Sequence, residues 1–324
     1  MSRALAVQDV PAQRERLTQL VERVLSEARA QGASAAEANV DVAQGLSVTV
    51  RLGEVETVEH NRDKGLAVTV YFGEHSGSAS SSDLTEAAIR DTVRAACTIA
   101  KFTAADPFSG LADAAELARD IPDLDLHHPW DLSVDDAIAL ATRIEDAARA
   151  VDKRIVNSEG ASVSSNQGYG VYGNSHGFIG ALASTRHSTS CAVIGQAAKT
   201  KSDGMQRDYW YSAARDARDL EAAESIGVQA AKRTLRRLDA RKLKTCQAPV
   251  IFEAPVATSL LSHFISAIRG GALYRRSSFL LDAAGTPVFA PHVNIGEQPH
   301  LRKALGSAPF DQEGVATRAR ELVK

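Results

Sequence analysis

The chain has 324 residues, of which 44% are hydrophobic and 24% charged, and its formal net charge is −3. This length suffices for two or three domains, and the slightly acidic balance gives no general attraction to nucleic acid or to an anionic membrane. The three cysteines Cys97, Cys191 and Cys246 lie far apart, so we expect no disulfides. The first eleven residues hold no signal-peptide pattern, and no apolar run approaches the roughly 18 residues of a membrane span. We therefore expect a cytoplasmic protein without a membrane segment.

The first third of the chain reads as a helix, a group of strands and a second helix. Apolar residues at helical spacing predict a helix over 11–30 that ends before Gly32. Alternating apolar residues then predict strands over 38–42, 46–52 and 66–72, with an edge segment around Val55 and Val58. Asp83 is expected to cap the next helix, which continues to about Ile99.

The middle third repeats this order after a segment that carries several prolines. Residues 102–130 predict a linker crossing the surface. Ser133, with Asp136 three residues on, predicts the start of a helix. Short strands are expected over 155–156, 161–165, 169–172, 178–183, 190–194 and 207–211, followed by a helix over 220–238 whose last turns are rich in lysine and arginine.

The last part begins with an apolar run at 250–252 that predicts a short buried strand. Pro255 suits the first turn of a helix that continues to Ile268, and Gly270 and Gly271 are expected to stop it. Two consecutive helix–meander–helix segments predict an α+β fold of antiparallel meanders packed with helices. We expect two such units, over 1–118 and 119–240, and the start of a β-rich C-terminal domain over 241–324.

One glycine motif and one histidine pair have simple interpretations. Gly168, Gly170 and Gly173 match the dinucleotide pattern Gly-x-Gly-x-x-Gly, but strand-like sequence surrounds them and a turn follows, which favours bends and close strand approach over cofactor binding. His127 and His128 are adjacent on an extended segment, so their side chains point to opposite sides and rarely share one metal ion.

A second group of polar residues is a candidate peptide-binding set. Asn174 and His176 precede Arg186 and His187 on neighbouring strands or their turn, and an arginine can bind a peptide carboxylate with two hydrogen bonds. Hydrogen-bonded strand residues explain the same pattern. A hydrolase that uses His176, His187 and a serine is a further alternative, although no Gly-x-Ser-x-Gly elbow is present.

The predicted helix over 255–268 has the plan of a metal-binding helix without its ligands. His263 is its one histidine, Phe264 follows it, and Ala267 and Ile268 occupy the positions one turn later. A zinc site needs three or four protein ligands, so we expect no metal and no catalytic residue in this chain. Tyr274, Arg275 and Arg276 follow the two glycines and are candidates, with His263, for contact with a peptide or a partner subunit.

Ten segments of this sequence, spread along almost the whole chain, resemble the TldD/PmbA family and in particular its PmbA (TldE) branch. They include Gly173-Asn-Ser-His-Gly177, Ser184-Thr-Arg-His-Ser188 and Tyr274-Arg-Arg-Ser-Ser. The full set is residues 51–56, 77–81, 123–126, 173–177, 184–188, 233–238, 241–243, 248–252, 274–282 and 309–315.

The resemblance implies a subunit of a cytoplasmic zinc metalloprotease that acts on small or unfolded peptides. In this family a TldD-type partner carries zinc on a His-Glu-x-x-x-His helix, which corresponds to the region 256–268 here and has no such motif in this chain. The resemblance therefore implies a heterodimer with a TldD-type catalytic subunit, or a homodimer, with zinc in the partner. It also implies that the β-rich C-terminal domain is incomplete. The alternative is an adaptor that modulates DNA gyrase without a peptidase role; nucleic-acid binding by the chain itself is not expected.

Overall fold

A computed structural model describes residues 10–197 and 204–324 of the chain. The segment in which we expected no signal peptide falls largely on residues 1–9, outside this description. The described residues form two units. The first contains the residues up to Asp239 together with Gln298–Ala319, and the second contains Ala240–Glu297 and Arg320–Lys324.

A six-stranded antiparallel sheet forms the centre of the first unit. Its strand order is β3-β2-β1-β4-β5-β6. The strands are β1 (Ala35–Arg51), β2 (Glu54–Phe72), β3 (His75–Ser81), β4 (Ile155–Asn174), β5 (Ile179–Gln196) and β6 (Met205–Ala214).

The two predicted meanders are halves of this one sheet. β1 pairs with β4 from Glu37 opposite Asn174 to Val50 opposite Ala161. The expected boundary near residue 118 therefore falls inside a single unit. The short strands predicted on either side of Gly45 are also one strand, because backbone pairing to β2 and β4 continues where apolar side chains are missing.

Four helices of the first unit cover one face of the sheet. They are α1 (Val10–Ala30), α2 (Glu86–Phe102), α3 (Val134–Arg149) and α4 (Ala223–Arg237). The opposite face carries no α-helix among the described residues of this unit, and we call it the open face. Val40 packs in a buried cluster with α1 and α2, and Val48 packs in a second cluster with α3 and α4. Because alternate residues of a strand share a face, both helix pairs lie on the same side of β1.

The helix starts depend on local caps. Ser133 caps α3 as predicted, and its hydroxyl accepts a hydrogen bond from the Asp136 N–H at 3.0 Å. The cap of α2 is Thr85 and not Asp83. Asp83 instead accepts a hydrogen bond from the Thr85 N–H at 2.9 Å, so its carboxylate orders the turn that precedes the cap.

A buried carboxylate of α3 fixes the turn between β1 and β2. Leu52 and Gly53 both have positive φ, at 54° and 81°, as a two-residue hairpin turn requires. Their N–H groups donate to the two oxygens of Glu145, each at 2.9 Å. Glu145 is fully buried, so the helix supplies acceptors that the turn would otherwise lack.

Replacing Glu145 with alanine is expected to lower the free energy of unfolding by about 1–3 kcal/mol, because two turn N–H groups lose a charged acceptor. Urea denaturation measures the loss. The matched control is Glu22→Ala on the exposed side of α1, which should change the stability by less than about 0.5 kcal/mol. Equal losses for the two variants would contradict this role of Glu145.

The second unit contains a helix pair and a short strand pair. α5 (Ala254–Ile268) is the helix predicted from Pro255, and α6 (Gly270–Tyr274) follows it. β7 (Ile295–Glu297) pairs with β8 (Arg320–Val323). Phe264 is buried and meets the ring of Phe289 edge to face at 5.1 Å.

One sequence prediction for this unit is wrong. Residues 250–252 form no strand, and Ile251 is 96% exposed. A short apolar run favours a buried strand only when another strand pairs with it, and the structure pairs none with these residues. The predicted end of the next helix is correct: α5 ends at Ile268, two residues before Gly270, although Gly270 then begins the short helix α6.

Candidate functional site

The open face of the sheet carries a groove of about 1010 Å³. It lies opposite α1 and α2, because its strand residues alternate with those that pack beneath these helices. Asp41 lines the groove, for example, while its neighbour Val40 lies in the core. The lining includes Glu37, Asn39, Asp41, Thr69, Gly168, Gly170, Tyr172, Gly180, Leu182, Ser184, Phe310, Asp311 and Glu313.

Bare backbone forms part of the groove floor. A Cβ atom added at Gly168 or Gly170 would meet no atom nearer than 3.8 Å, so open space lies above both residues. They belong to β4, whose pairing with β1 and β5 continues through them. The Gly-x-Gly pattern is therefore part of a strand and not the start of a phosphate-binding helix.

Two tyrosines orient the carboxylate of Glu37 at one side of the groove. The Tyr71 hydroxyl donates to Oε1 at 2.9 Å, and the Tyr172 hydroxyl donates to Oε2 at 2.7 Å. Burial, and then the neighbouring Glu37, raise the pKa of Tyr71. Burial and the bond to Glu37 also raise the pKa of Tyr172. Both phenols therefore stay protonated as donors at neutral pH.

Further carboxylates make the groove acidic. Burial, followed by the charge of Asp63, raises the pKa of Asp41. Burial, followed by Asp311 and Glu37, raises the pKa of Glu313. Among the described residues that line the groove, none is a lysine, arginine or histidine. The groove can therefore attract a cationic group more readily than an anionic one.

The segment Gln298–Ala319, which we call the strap, supplies one wall of the groove. Phe310 meets Phe178 edge to face at 5.3 Å. The Lys303 ammonium donates to Asp216 at 2.9 Å, and the Arg215 guanidinium donates to the Leu305 carbonyl at 2.8 Å. Hydrogen bonds from Arg218 first, and then from Lys303, hold the pKa of Asp216 well below its usual range.

Replacing Lys303 with methionine should loosen the strap, because Asp216 then loses the cation that links it to this segment. We expect amide hydrogen exchange within 299–316 to become several-fold faster, while exchange in α1 stays unchanged. The neighbouring Arg302 is more exposed and pairs with Asp125 at 3.3 Å. Arg302→Gln should therefore have little effect. Unchanged exchange in the Lys303 variant would contradict this anchoring role.

Asn174 and His176 lie at the turn between β4 and β5. Asn174 is 2% exposed, and its side-chain oxygen accepts from the N–H groups of His176 at 3.1 Å and Phe178 at 3.4 Å. His176 is exposed, and its Nδ1 lies 3.1 Å from the Ala112 carbonyl. Asn174 therefore builds the turn. The predicted peptide contacts of these two residues stay predictions.

Arg186 and His187 are consecutive on β5, so the structure does not bring their side chains together on one face. Arg186 is exposed, whereas His187 is fully buried. His187 Nε2 donates to the His128 carbonyl at 2.8 Å, and Nδ1 accepts from the Ser165 hydroxyl at 3.0 Å. Both ring nitrogens are engaged, and the ring also meets Trp130 edge to face at 5.5 Å.

The predicted surface linker is therefore partly buried. Leu124 and Leu126 are 5% and 4% exposed, and the His128 carbonyl binds His187. The Thr185 N–H also donates to the Leu126 carbonyl at 2.9 Å. The lack of regular secondary structure in this segment did not mean exposure, because β5 supplies hydrogen-bond partners for its backbone.

The buried state of His187 makes a pH-dependent prediction. Burial lowers its pKa. Protonation thus favours the unfolded chain, and its contribution to stability is lost as the pH falls below about 6.5, the ordinary histidine pKa. We expect wild type to be more stable than His187→Gln at pH 8, with the difference shrinking towards pH 5.5. Urea denaturation across this range measures it, and parallel curves would contradict the prediction.

The remaining predicted residues belong to the second unit. His263 is exposed on α5. Tyr274 ends α6 and is 65% exposed, Arg275 caps that helix, and Arg276 follows with a φ of 53°. Their proposed contacts with a peptide or a partner also stay predictions.

Sequence reasoning missed the acidic residues of the groove. Glu37, Asn39 and Asp41 alternate with buried Ala38 and Val40 along β1. The same period of two is typical of any strand with one solvated face, so it does not by itself indicate a groove. The residues that could have identified a groove, Phe310 and Glu313, lie far away in sequence.

The described part of the chain offers few groups for metal binding or thiol chemistry. Among residues 10–197 and 204–324, no three His, Cys, Asp or Glu side chains are grouped so that they could hold a metal ion. Cys97 and Cys191 are buried and Cys246 is exposed, and all three are free. Burial, with Glu145 nearby, raises the pKa of Cys191 to about 12, so this thiol stays protonated. None of the described helices is long and apolar enough to span a membrane.

Comparison with known proteins gives matches along most of the chain. Residues 36–100 match domain 1 of the PmbA/TldA metallopeptidases, 127–238 match the central domain and 245–324 match the C-terminal domain. The metalloprotease PmbA of Escherichia coli O157:H7 is 48% identical over 98% of this chain and 70% of its own length. The PmbA homologue of Haemophilus influenzae is 46% identical over 97% and 68%.

Solved structures of related proteins have the same fold as this chain. A candidate modulator of DNA gyrase from Bacteroides thetaiotaomicron superposes with a TM-score of 0.87 at 26% identity, over 94% of this chain and 69% of that protein. TldE from Thermococcus kodakarensis has a TM-score of 0.76 at 16% identity, over 94% and 67%, and shows the shared fold. The chain therefore belongs to the PmbA/TldD metallopeptidase family.

Proposed function

We propose that this chain is a peptide-holding subunit of a zinc-dependent peptidase, and that a TldD-type partner subunit supplies the zinc and cleaves the peptide. Membership in a metallopeptidase family supports the reaction class. The single observation that carries the division of roles is the composition of α5. His263 is followed by Phe264, and the positions one turn later are Ala267 and Ile268.

Zinc does not fit this helix. The ion needs three or four nitrogen, sulfur or oxygen ligands, and catalytic sites add a nearby general base. One exposed histidine beside apolar residues offers a single ligand. We therefore derive no catalytic step in this chain. Its contribution is to bind the peptide and to hold it in position, which accelerates a reaction by removing the cost of orienting the substrate.

The groove on the sheet supports a peptide-binding role. It is concave, its floor includes exposed backbone, and its wall contains the aromatic ring of Phe310. Clefts that combine apolar walls with a few oriented polar groups are typical ligand sites. A small or unfolded peptide, which exposes its side chains and backbone, is a suitable occupant.

The test compares the purified chain, a TldD-type subunit with the His-Glu-x-x-x-His motif, and their mixture. We expect the chain alone to hold no stoichiometric zinc and to cleave no unfolded peptide, whereas the mixture cleaves and loses activity with a chelator. His263→Ala should leave zinc content and cleavage by the mixture unchanged. Alanine at the first motif histidine of the partner should abolish both.

Two outcomes would reject the proposal. Stoichiometric zinc with chelator-sensitive cleavage by the lone chain would show that this subunit is itself catalytic. Co-purification with DNA gyrase, together with no effect on the TldD-type peptidase, would instead favour an adaptor.

A further inference from the structure

The groove has built walls and a floor in addition to its charges, and carboxylates alone would not define a site. Gly168 and Gly170 expose backbone on the floor. Tyr172 lines one side, where it holds Glu37 in a fixed orientation. Phe310 of the strap lines another side. This pre-organisation lowers the cost of ordering side chains when a ligand binds.

The charge of the groove selects the class of ligand. Glu37, Asp41, Asp311 and Glu313 all line it, and no basic side chain does so among the described residues. Asp41 and Glu313 are partly desolvated and are repelled by other acids. An ammonium or guanidinium group placed among them would offset this repulsion and form charge-assisted hydrogen bonds.

The shape of the floor favours an extended chain. Gly168 and Gly170 are two residues apart on one strand and face the same side. Bare backbone at both positions leaves room for another backbone to lie across the sheet. An extended peptide has the same period of two, so its alternate side chains point into the groove together.

We propose that this groove binds an extended peptide segment that carries lysine or arginine at alternate positions, with the cationic groups paired to Glu37, Asp41 and Glu313. The inference deepens the proposed function and rests on it, since it names the chemistry of the peptide that this subunit holds. The apolar stems of lysine and arginine also match the walls formed by Leu182 and Phe310.

The experiment measures fluorescence anisotropy with the full chain and dye-labelled heptapeptides of the form Ala-Ser-Lys-Ser-Lys-Ser-Ala. Matched probes replace both lysines with glutamate or with norleucine. We expect the lysine probe to bind at least about tenfold more tightly than the glutamate probe, and this preference should weaken in high salt. Asp41→Asn and Glu313→Gln should each weaken binding of the lysine probe about three- to tenfold.

A second variant tests the floor without changing the charge. Gly170→Leu places a side chain in the open space above β4 and should weaken binding of the lysine and norleucine probes alike. Glu22→Gln removes one negative charge from the exposed side of α1 and should leave binding unchanged. Circular dichroism and the urea midpoint establish whether each variant folds. If Gly170→Leu does not fold, the near-isosteric variants Asp41→Asn and Glu313→Gln still test the inference.

Equal affinity for the lysine and glutamate probes would overturn the inference, as would wild-type binding by a folded Asp41→Asn variant. Displacement of the lysine probe by n-butylamine at equal concentration would show that a lone amine suffices, and would reject the extended-peptide part.

The assay needs neither zinc nor cleavage. A lone chain that contains zinc would therefore reject the proposed function and leave the groove result standing. A mixture that cleaves normally while the lysine probe fails to bind would reject only the groove inference.

Discussion

The pairing of β1 with β4 is the constraint on which the first unit depends. These two strands run side by side from Glu37 and Asn174 to Val50 and Ala161 and join two helix–meander–helix segments into one sheet. Each strand is long enough to lie beneath α1 and α2 at one end and beneath α3 and α4 at the other. All four helices then cover a single face, and the reverse face carries the groove.

The packing of the helices beneath the sheet also supports the floor of the groove. Val40 and Val171 pack beneath α1 and α2, while their neighbours Asp41 and Gly170 face the groove. The hydrophobic core thereby fixes the floor from below. The two core clusters are separate, and the buried His187 meets Trp130, which packs against the second one. Its hydrogen bonds to Ser165 and to the His128 carbonyl show how a polar side chain is accommodated beside two apolar regions.

Local signals made part of this fold predictable. Helical spacing and caps located α3 at Ser133 and α5 at Pro255, because both features depend on residues a few positions apart. The joining of strands across Gly45 depends on pairing with β4, more than a hundred residues away. The same limit explains the error at 250–252, where an apolar run has no pairing strand. The sequence marks His187 only as a candidate site residue, and its partner His128 lies in a segment whose prolines predict a surface linker.

The groove was not predictable because it, too, depends on contacts between residues that are distant in sequence. Its acidic residues on β1 look like an ordinary solvated face until the strap covers them. Gly180 permits the close approach of Phe310 to β5, since a Cβ atom at this position would lie 2.6 Å from the Phe310 ring. Lys303 then ties the strap to Asp216 and Asp219. The strap thus brings Asp311 and Glu313 towards Glu37 and Asp41, although like charges repel one another. The aromatic contacts and the Lys303 ion pairs offset that repulsion, so the four carboxylates line the groove with no basic side chain among its described lining residues. A cationic group that enters the groove would relieve the repulsion, and the open floor at Gly168 and Gly170 leaves room for the chain that carries it, so charge and shape act together at this surface.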